Sequence, residues 1–137
     1  MANSLTVKIT EDGRRNAIAT LIGVVDTADM NVPSAIALAN FVNNDVQLKL
    51  KGLSLRTVRY SVTEGLSVLL AWNGNTPELM CALSGSNEMD RRTDGGYPPN
   101  MLASGYDGNI NLTTDGFVAG RVYTFTVDLW MTKKYSK

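Results

Sequence analysis

Residues 123–132 read YTFTVDLWMT. Tyr123, Phe125, Val127, Leu129 and Met131 fall on alternate positions, with Thr124, Thr126, Asp128 and Thr132 between them. Successive side chains of a β-strand point to opposite faces, so this period of two describes one strand with an apolar face towards a core and a polar face towards water. Trp130 breaks the alternation by standing on the polar face. Such a ring is exposed in an isolated domain or covered by something else, for example another subunit.

The same period runs outward from this segment. Leu5, Val7 and Ile9 alternate with Thr6, Lys8 and Thr10 near the other end of the chain. Between them lie AIATLIGVV (17–25), VQLKLKG (46–52), LSLRTVRYSV (53–62), LSVLLAW (66–72), ELMCALS (78–84) and GNINLTT (108–114). These short runs are rich in aliphatic and β-branched residues, as half-buried strands require. Asp12-Gly13, Glu64-Gly65, Asn73-Gly74 and Asp115-Gly116 each pair a turn former with a glycine, which supplies the positive φ of tight turns. Pro77 stands at the edge of the run after Asn73-Gly74, where its missing N–H costs least. The expectation is an all-β protein: one antiparallel β-sandwich domain over 1–137, jelly-roll-like or related, with about eight short strands and two long loops.

Two stretches break the rhythm. Residues 26–45, DTADMNVPSAIALANFVNND, fit either a short helix from about Ser34 to Phe41 or an extended surface arm. Residues 85–107, GSNEMDRRTDGGYPPNMLASGYD, are polar, rich in glycine and proline, and without a period. A structureless connection of that length in a compact domain is usually functional or mobile.

Composition removes several function classes. Thirteen basic residues balance thirteen acidic ones, so no field of one sign is available to hold nucleic acid by counterion release. There is no histidine, the commonest general base and a frequent metal ligand. A single cysteine, Cys81, forms no internal disulfide and no cysteine zinc cage. The first residues, MANSLTVKIT, lack the plan of a secretory signal. No apolar run reaches the roughly 20 residues that span a bilayer. A soluble protein folded in a cytoplasm is the expectation, with neither membrane nor nucleic acid as partner.

The candidate chemistry is thin. Cys81 alternates with its neighbours between Leu79 and Leu83 and lacks a histidine partner, so it reads as a small core residue. Glu64 precedes a glycine between two strands and reads as a solvated turn carboxylate. Asp26 with Asp29, Asp90 with Asp94, and Asp107 with Asp115 could gather round a hard cation, yet none fits the calcium-loop spacing. No catalytic residue, metal ligand or cofactor is assigned.

Aromatic and arginine residues carry the binding candidates. Tyr97 and Tyr106 lie in or beside the long polar loop, where planar rings can stack on sugars or anchor a protein. Trp72 reads as a cap on one end of the core. Arg91 and Arg92 could meet an acidic surface, although adjacent loop arginines are commonly just solvated. With Trp130, the partner-facing candidates are therefore Arg91, Arg92, Tyr97, Tyr106 and Trp130.

Three stretches carry a resemblance: LTVKITEDGRRNAIATLIGVVDT (5–27), VRYSVTEGLSVLLAWNGNTPELMCALSG (58–85) and GYDGNINLTTDGFVAGRVYTFTVDL (105–129). In these the chain resembles short β-rich virion structural proteins of tailed bacteriophages, with little likeness over 30–50 and 86–104. The shared signatures are turns and core alternation, so they mark a fold family more than a biochemical role, and no catalytic residue carries over. The resemblance implies a non-enzymatic capsid decoration (cement) protein that binds and stabilises the head shell. Its expected partners are the major capsid protein and other copies of itself, as a homo-oligomer. A trimer is the expectation, because such proteins commonly sit on local three-fold axes. The protein would be made in the host bacterial cytoplasm and end on the virion surface. The alternative is a tail or neck component with a carbohydrate-binding β-sandwich, using Trp72, Tyr97 and Tyr106 as one aromatic platform.

Overall fold

The segment 123–132 belongs to a long strand that runs on to Ser136. The computed structural model describes residues 3–41, 48–90 and 104–136. Among these, nine strands follow one another: β1 (Ser4–Asp12), β2 (Asn16–Val25), β3 (Asn31–Ile36), β4 (Lys49–Val62), β5 (Ser67–Trp72), β6 (Glu78–Leu83), β7 (Ser86–Asp90), β8 (Ile110–Asp115) and β9 (Tyr123–Ser136). They form a five-stranded sheet ordered β1-β2-β9-β4-β7 and a four-stranded sheet ordered β3-β8-β5-β6, both antiparallel throughout. The protein is all-β and its two sheets form a β-sandwich.

The pairing is nested. β5 pairs with β6, β4 with β7, β3 with β8 and β2 with β9, as if one long hairpin had been folded over into two sheets. That is the strand order of a jelly roll, with β1 added beside β2 at the edge.

One apolar cluster fills the space between the sheets. The five-stranded sheet contributes Leu21, Val58, Phe125, Val127 and Leu129, and the four-stranded sheet Val68, Leu70, Trp72, Ile110 and Leu112, all buried. Burying each such side chain stabilises the fold by about 1.5–3 kcal/mol before ordering costs. Cys81 belongs to this cluster. At the far edge, Val7 and Ile9 of β1 point the same way as their β2 partners Leu21 and Ala19 but remain 38% and 37% exposed. The five-stranded sheet thus overhangs the smaller one there.

Several expectations are corrected in detail. The runs 46–52 and 53–62 are one strand from Lys49, kept continuous by irregularities between Leu50 and Gly52 and between Leu55 and Thr57. Residues 34–41 do not form a helix: β3 runs to Ile36, followed by a single 3-10 turn at Leu38–Asn40. Strand pairing wins because Asn111 Oδ1 accepts from the Ser34 N–H at 2.7 Å and Asn109 Oδ1 accepts from the Leu38 N–H at 2.8 Å. Ser34 takes a left-handed φ of 55°, which a helix would not permit. The described part of 26–45 is therefore built into the sandwich, and is not a free arm. Within 85–107, Ser86–Asp90 adds an edge strand beside β4.

Candidate interaction surface

The outer face of the five-stranded sheet is built in transverse rows, because residues opposite one another in register share a face. β9 lies between β2 and β4. Thr20 on β2 opposes Asp128 on β9, Asp128 opposes Arg59 on β4, and Arg59 opposes Glu88 on β7. Thr20 Oγ1 donates to Asp128 Oδ1 at 2.7 Å, and Arg59 Nε donates to Glu88 Oε2 at 3.0 Å. The Arg59–Glu88 pair also closes to 2.9 Å through Nη2. An exposed ion pair of this kind contributes little stability and mainly fixes the direction of the guanidinium.

The next row carries the tryptophan. Trp130 opposes Ile18 on one side and Thr57 on the other. The Arg59 guanidinium lies over its ring, 5.3 Å from the centroid, within reach of a cation–π attraction. Trp130 is therefore half-buried and partly covered from within its own sheet, where the sequence leads one to expect exposure or cover from another molecule. A shallow groove of about 390 Å³ opens beside it, lined by Glu11, Ile18, Arg56, Arg59, Glu88 and Trp130 among others. An aromatic ring flanked by an arginine and a carboxylate offers contact area and orientation, the features of a protein-recognition surface.

Tyr106 belongs to a different region. Its loop enters β8 and is pinned to the β5–β6 turn: Asn73 Nδ2 donates to Asp107 Oδ2 at 2.8 Å, and Asn75 Nδ2 donates to Ser104 Oγ at 2.8 Å. Asp107 Oδ1 also accepts from the Asn109 N–H at 3.0 Å. The Tyr106 hydroxyl is buried with no hydrogen-bond partner among the described residues. Burial, and then the neighbouring Asp107 charge, push its pKa up to about 12. It is thus held by its loop, and no described residue of that loop lines the groove at Trp130.

The remaining candidates divide clearly. Arg91, Arg92 and Tyr97 lie outside the described residues. Trp72 is 1% exposed, its ring packed in the core, so it cannot present a face to a sugar. Glu64 is exposed in the turn between β4 and β5. Asp29 holds the segment after β8, its Oδ1 accepting from the Phe117 N–H at 3.0 Å. Sequence reading missed Arg59 and Glu88; the only local signal was that Arg59 is one of the polar residues in LSLRTVRYSV. No family model matches the chain, and no curated protein matches it.

Proposed function

We propose that this protein is a non-enzymatic structural component of a tailed-bacteriophage virion, decorating the head shell and stabilising it by contact with the major capsid protein and with copies of itself. The observation that carries the reading is the outer sheet face, where Trp130 sits beside a groove and is oriented by Arg59 and Glu88. A cement protein needs a surface of this sort, rigid and displayed on strands, in place of an active site. The resemblance over 5–27, 58–85 and 105–129 supports the same reading, and the jelly-roll order agrees with it at the level of fold analogy alone. The carbohydrate-binding alternative is weakened, because its aromatic platform includes Trp72, which is in the core.

Mass spectrometry of purified virions, with heads and tails separated, tests the assignment. Recovery in the head fraction in many copies is expected. Recovery with tails, or absence from the particle, overturns it.

A further inference from the structure

Five of the thirteen basic residues gather at one end of the five-stranded sheet, although the chain is neutral as a whole: Arg14, Arg15, Arg56, Lys133 and Lys134 line a single open cleft of about 1190 Å³. They come from three places in the sequence. Arg14 and Arg15 form the turn between β1 and β2, Arg56 lies on β4, and the two lysines lie near the end of β9. Among the described residues, no carboxylate lines the cleft.

The cluster is held in place by the backbone. The Tyr135 hydroxyl donates to the Arg14 carbonyl at 2.7 Å, the Lys133 N–H donates to the Arg15 carbonyl at 2.6 Å, and the Gly13 N–H donates to the Asn16 carbonyl at 2.9 Å. These bonds fix the turn, so Arg14 and Arg15 project from a rigid base. Arg56 occupies the irregularity between Leu55 and Thr57, and a bulge of this kind re-aims the extra side chain. Its Nε donates to Thr132 Oγ1 at 2.9 Å, which fixes the guanidinium at the cleft it lines. The Lys133 ammonium is buried against Asp12 and braces the floor of the cleft. Among the described residues, no carboxylate pairs with Arg15, Arg56 or Lys134. Cations collected this closely repel one another, and an anionic partner relieves that repulsion.

The cleft also continues into the groove at Trp130, since Asn16, Arg56 and Thr132 line both. That second half offers Ile18 and the Trp130 ring among polar side chains, with Glu11 and the Arg59-paired Glu88 at its border. A nucleic-acid strand carries a charge at every phosphate and would run from the cations towards these carboxylates. A protein segment can change character along its length. We propose that the joined cleft binds an extended segment of another protein in which acidic residues are followed by aliphatic or aromatic ones. The carboxylates would sit against Arg15, Arg56 and Lys134, where guanidinium forks and an ammonium pair with them, and the apolar side chains would sit against Ile18 and Trp130. This inference does not rest on the virion assignment.

The test is an amide-shift NMR titration of the intact protein with three synthetic probes: a peptide with a run of glutamates followed by leucine and phenylalanine, the same peptide with serines at the apolar positions, and oligothymidylate of matched charge. The first peptide is expected to shift the amides of Arg14, Arg15 and Lys134 together with the Trp130 indole N–H. Its binding is expected to weaken with salt, and to fall about tenfold in Arg15→Glu/Lys134→Glu. Arg56→Gln, a milder change, should weaken it less while leaving amide shifts of the free protein unchanged away from Arg56 and its partner Thr132. The serine peptide should bind more weakly and leave the indole unmoved. Absence of saturable shifts at millimolar peptide, or shifts indifferent to both variants, overturns the proposal. Equal binding of the serine peptide removes the apolar half, and tighter binding of oligothymidylate gives the cleft to nucleic acid; either result also overturns it.

Discussion

Arg59 lies over the ring of Trp130 while its guanidinium is held by Glu88 on the neighbouring strand. Two strands thus cooperate to place one cation on one aromatic face. Removing the cover without removing the ring separates the two roles. Arg59→Ala is expected to change stability by less than about 1 kcal/mol, as exposed cation–π and ion pairs do. It should raise the quenching of Trp130 fluorescence by acrylamide, with buried Trp72 as the internal control. Unchanged quenching would mean that the guanidinium does not shield the ring.

Phe125 and Gly23 face each other across β2 and β9, and a β-carbon placed on Gly23 would stand 2.1 Å from the Phe125 ring. The ring occupies the space that only glycine leaves open. Gly23→Ala is expected to cost about 1–3 kcal/mol through this overpacking, measured by urea unfolding. Adding Phe125→Leu should give back part of that loss even though Phe125→Leu alone destabilises. A fully additive double variant would contradict the steric account.

Asp12 and Lys133 form an ion pair in which the lysine side chain is fully buried. Lys133 stands on the core-facing row of β9, opposite Leu53, so its charge depends on nearby acceptors. Asp12→Ala is expected to destabilise by about 3 kcal/mol, because it strips a buried charge of this carboxylate. Lys133→Met in the same background should recover much of the loss, since an apolar side chain of similar length needs no acceptor. If the second substitution made matters worse, the lysine would have to hold the end of the sheet by its other contacts.

Tyr106 supplies a pH dependence of known sign. Its pKa is raised from 10.0 to about 12, so the native state keeps its proton where the unfolded chain has lost it. The stability this contributes is fully present below pH 10.0 and is lost as pH rises through about 12. Ultraviolet titration should show one tyrosine ionising later than the exposed ones. Because the hydroxyl finds no partner among the described residues, Tyr106→Phe should be neutral or stabilising by up to about 1 kcal/mol. It should also flatten the alkaline loss. A large destabilisation would reveal a hydrogen bond to that hydroxyl.

Much of the sandwich was legible because its signal is local. Period two at 123–131 gave a strand with the expected inward face, 17–25 is a strand as read, the glycine pairs at 64–65 and 73–74 fall between consecutive strands, and Gly13 follows the last residue of β1. Trp72 and Cys81 were read as core and are buried. What stayed hidden depends on register. β3 is held by the side chain of Asn111 on the distant β8, and the turn after it by Asn109, just before β8. The row Thr20–Asp128–Arg59–Glu88 joins residues from four strands, the first two 108 positions apart. The basic cleft was legible only in part: the cluster at Lys133, Lys134 and Lys137 reads in sequence as a polar chain end, and it is register that brings Arg14, Arg15 and Arg56 beside Lys133 and Lys134.

The proposed function requires the Trp130 face to bind a phage head. Co-sedimentation of the purified protein with expanded and with immature heads, in native form and as Trp130→Ala, measures this directly. The expected result is saturable binding of the native protein to expanded heads, weakened about tenfold or more in the variant, as for an aromatic anchor at the centre of an interface. No binding to either form of the head, or identical binding by a correctly folded variant, would contradict it.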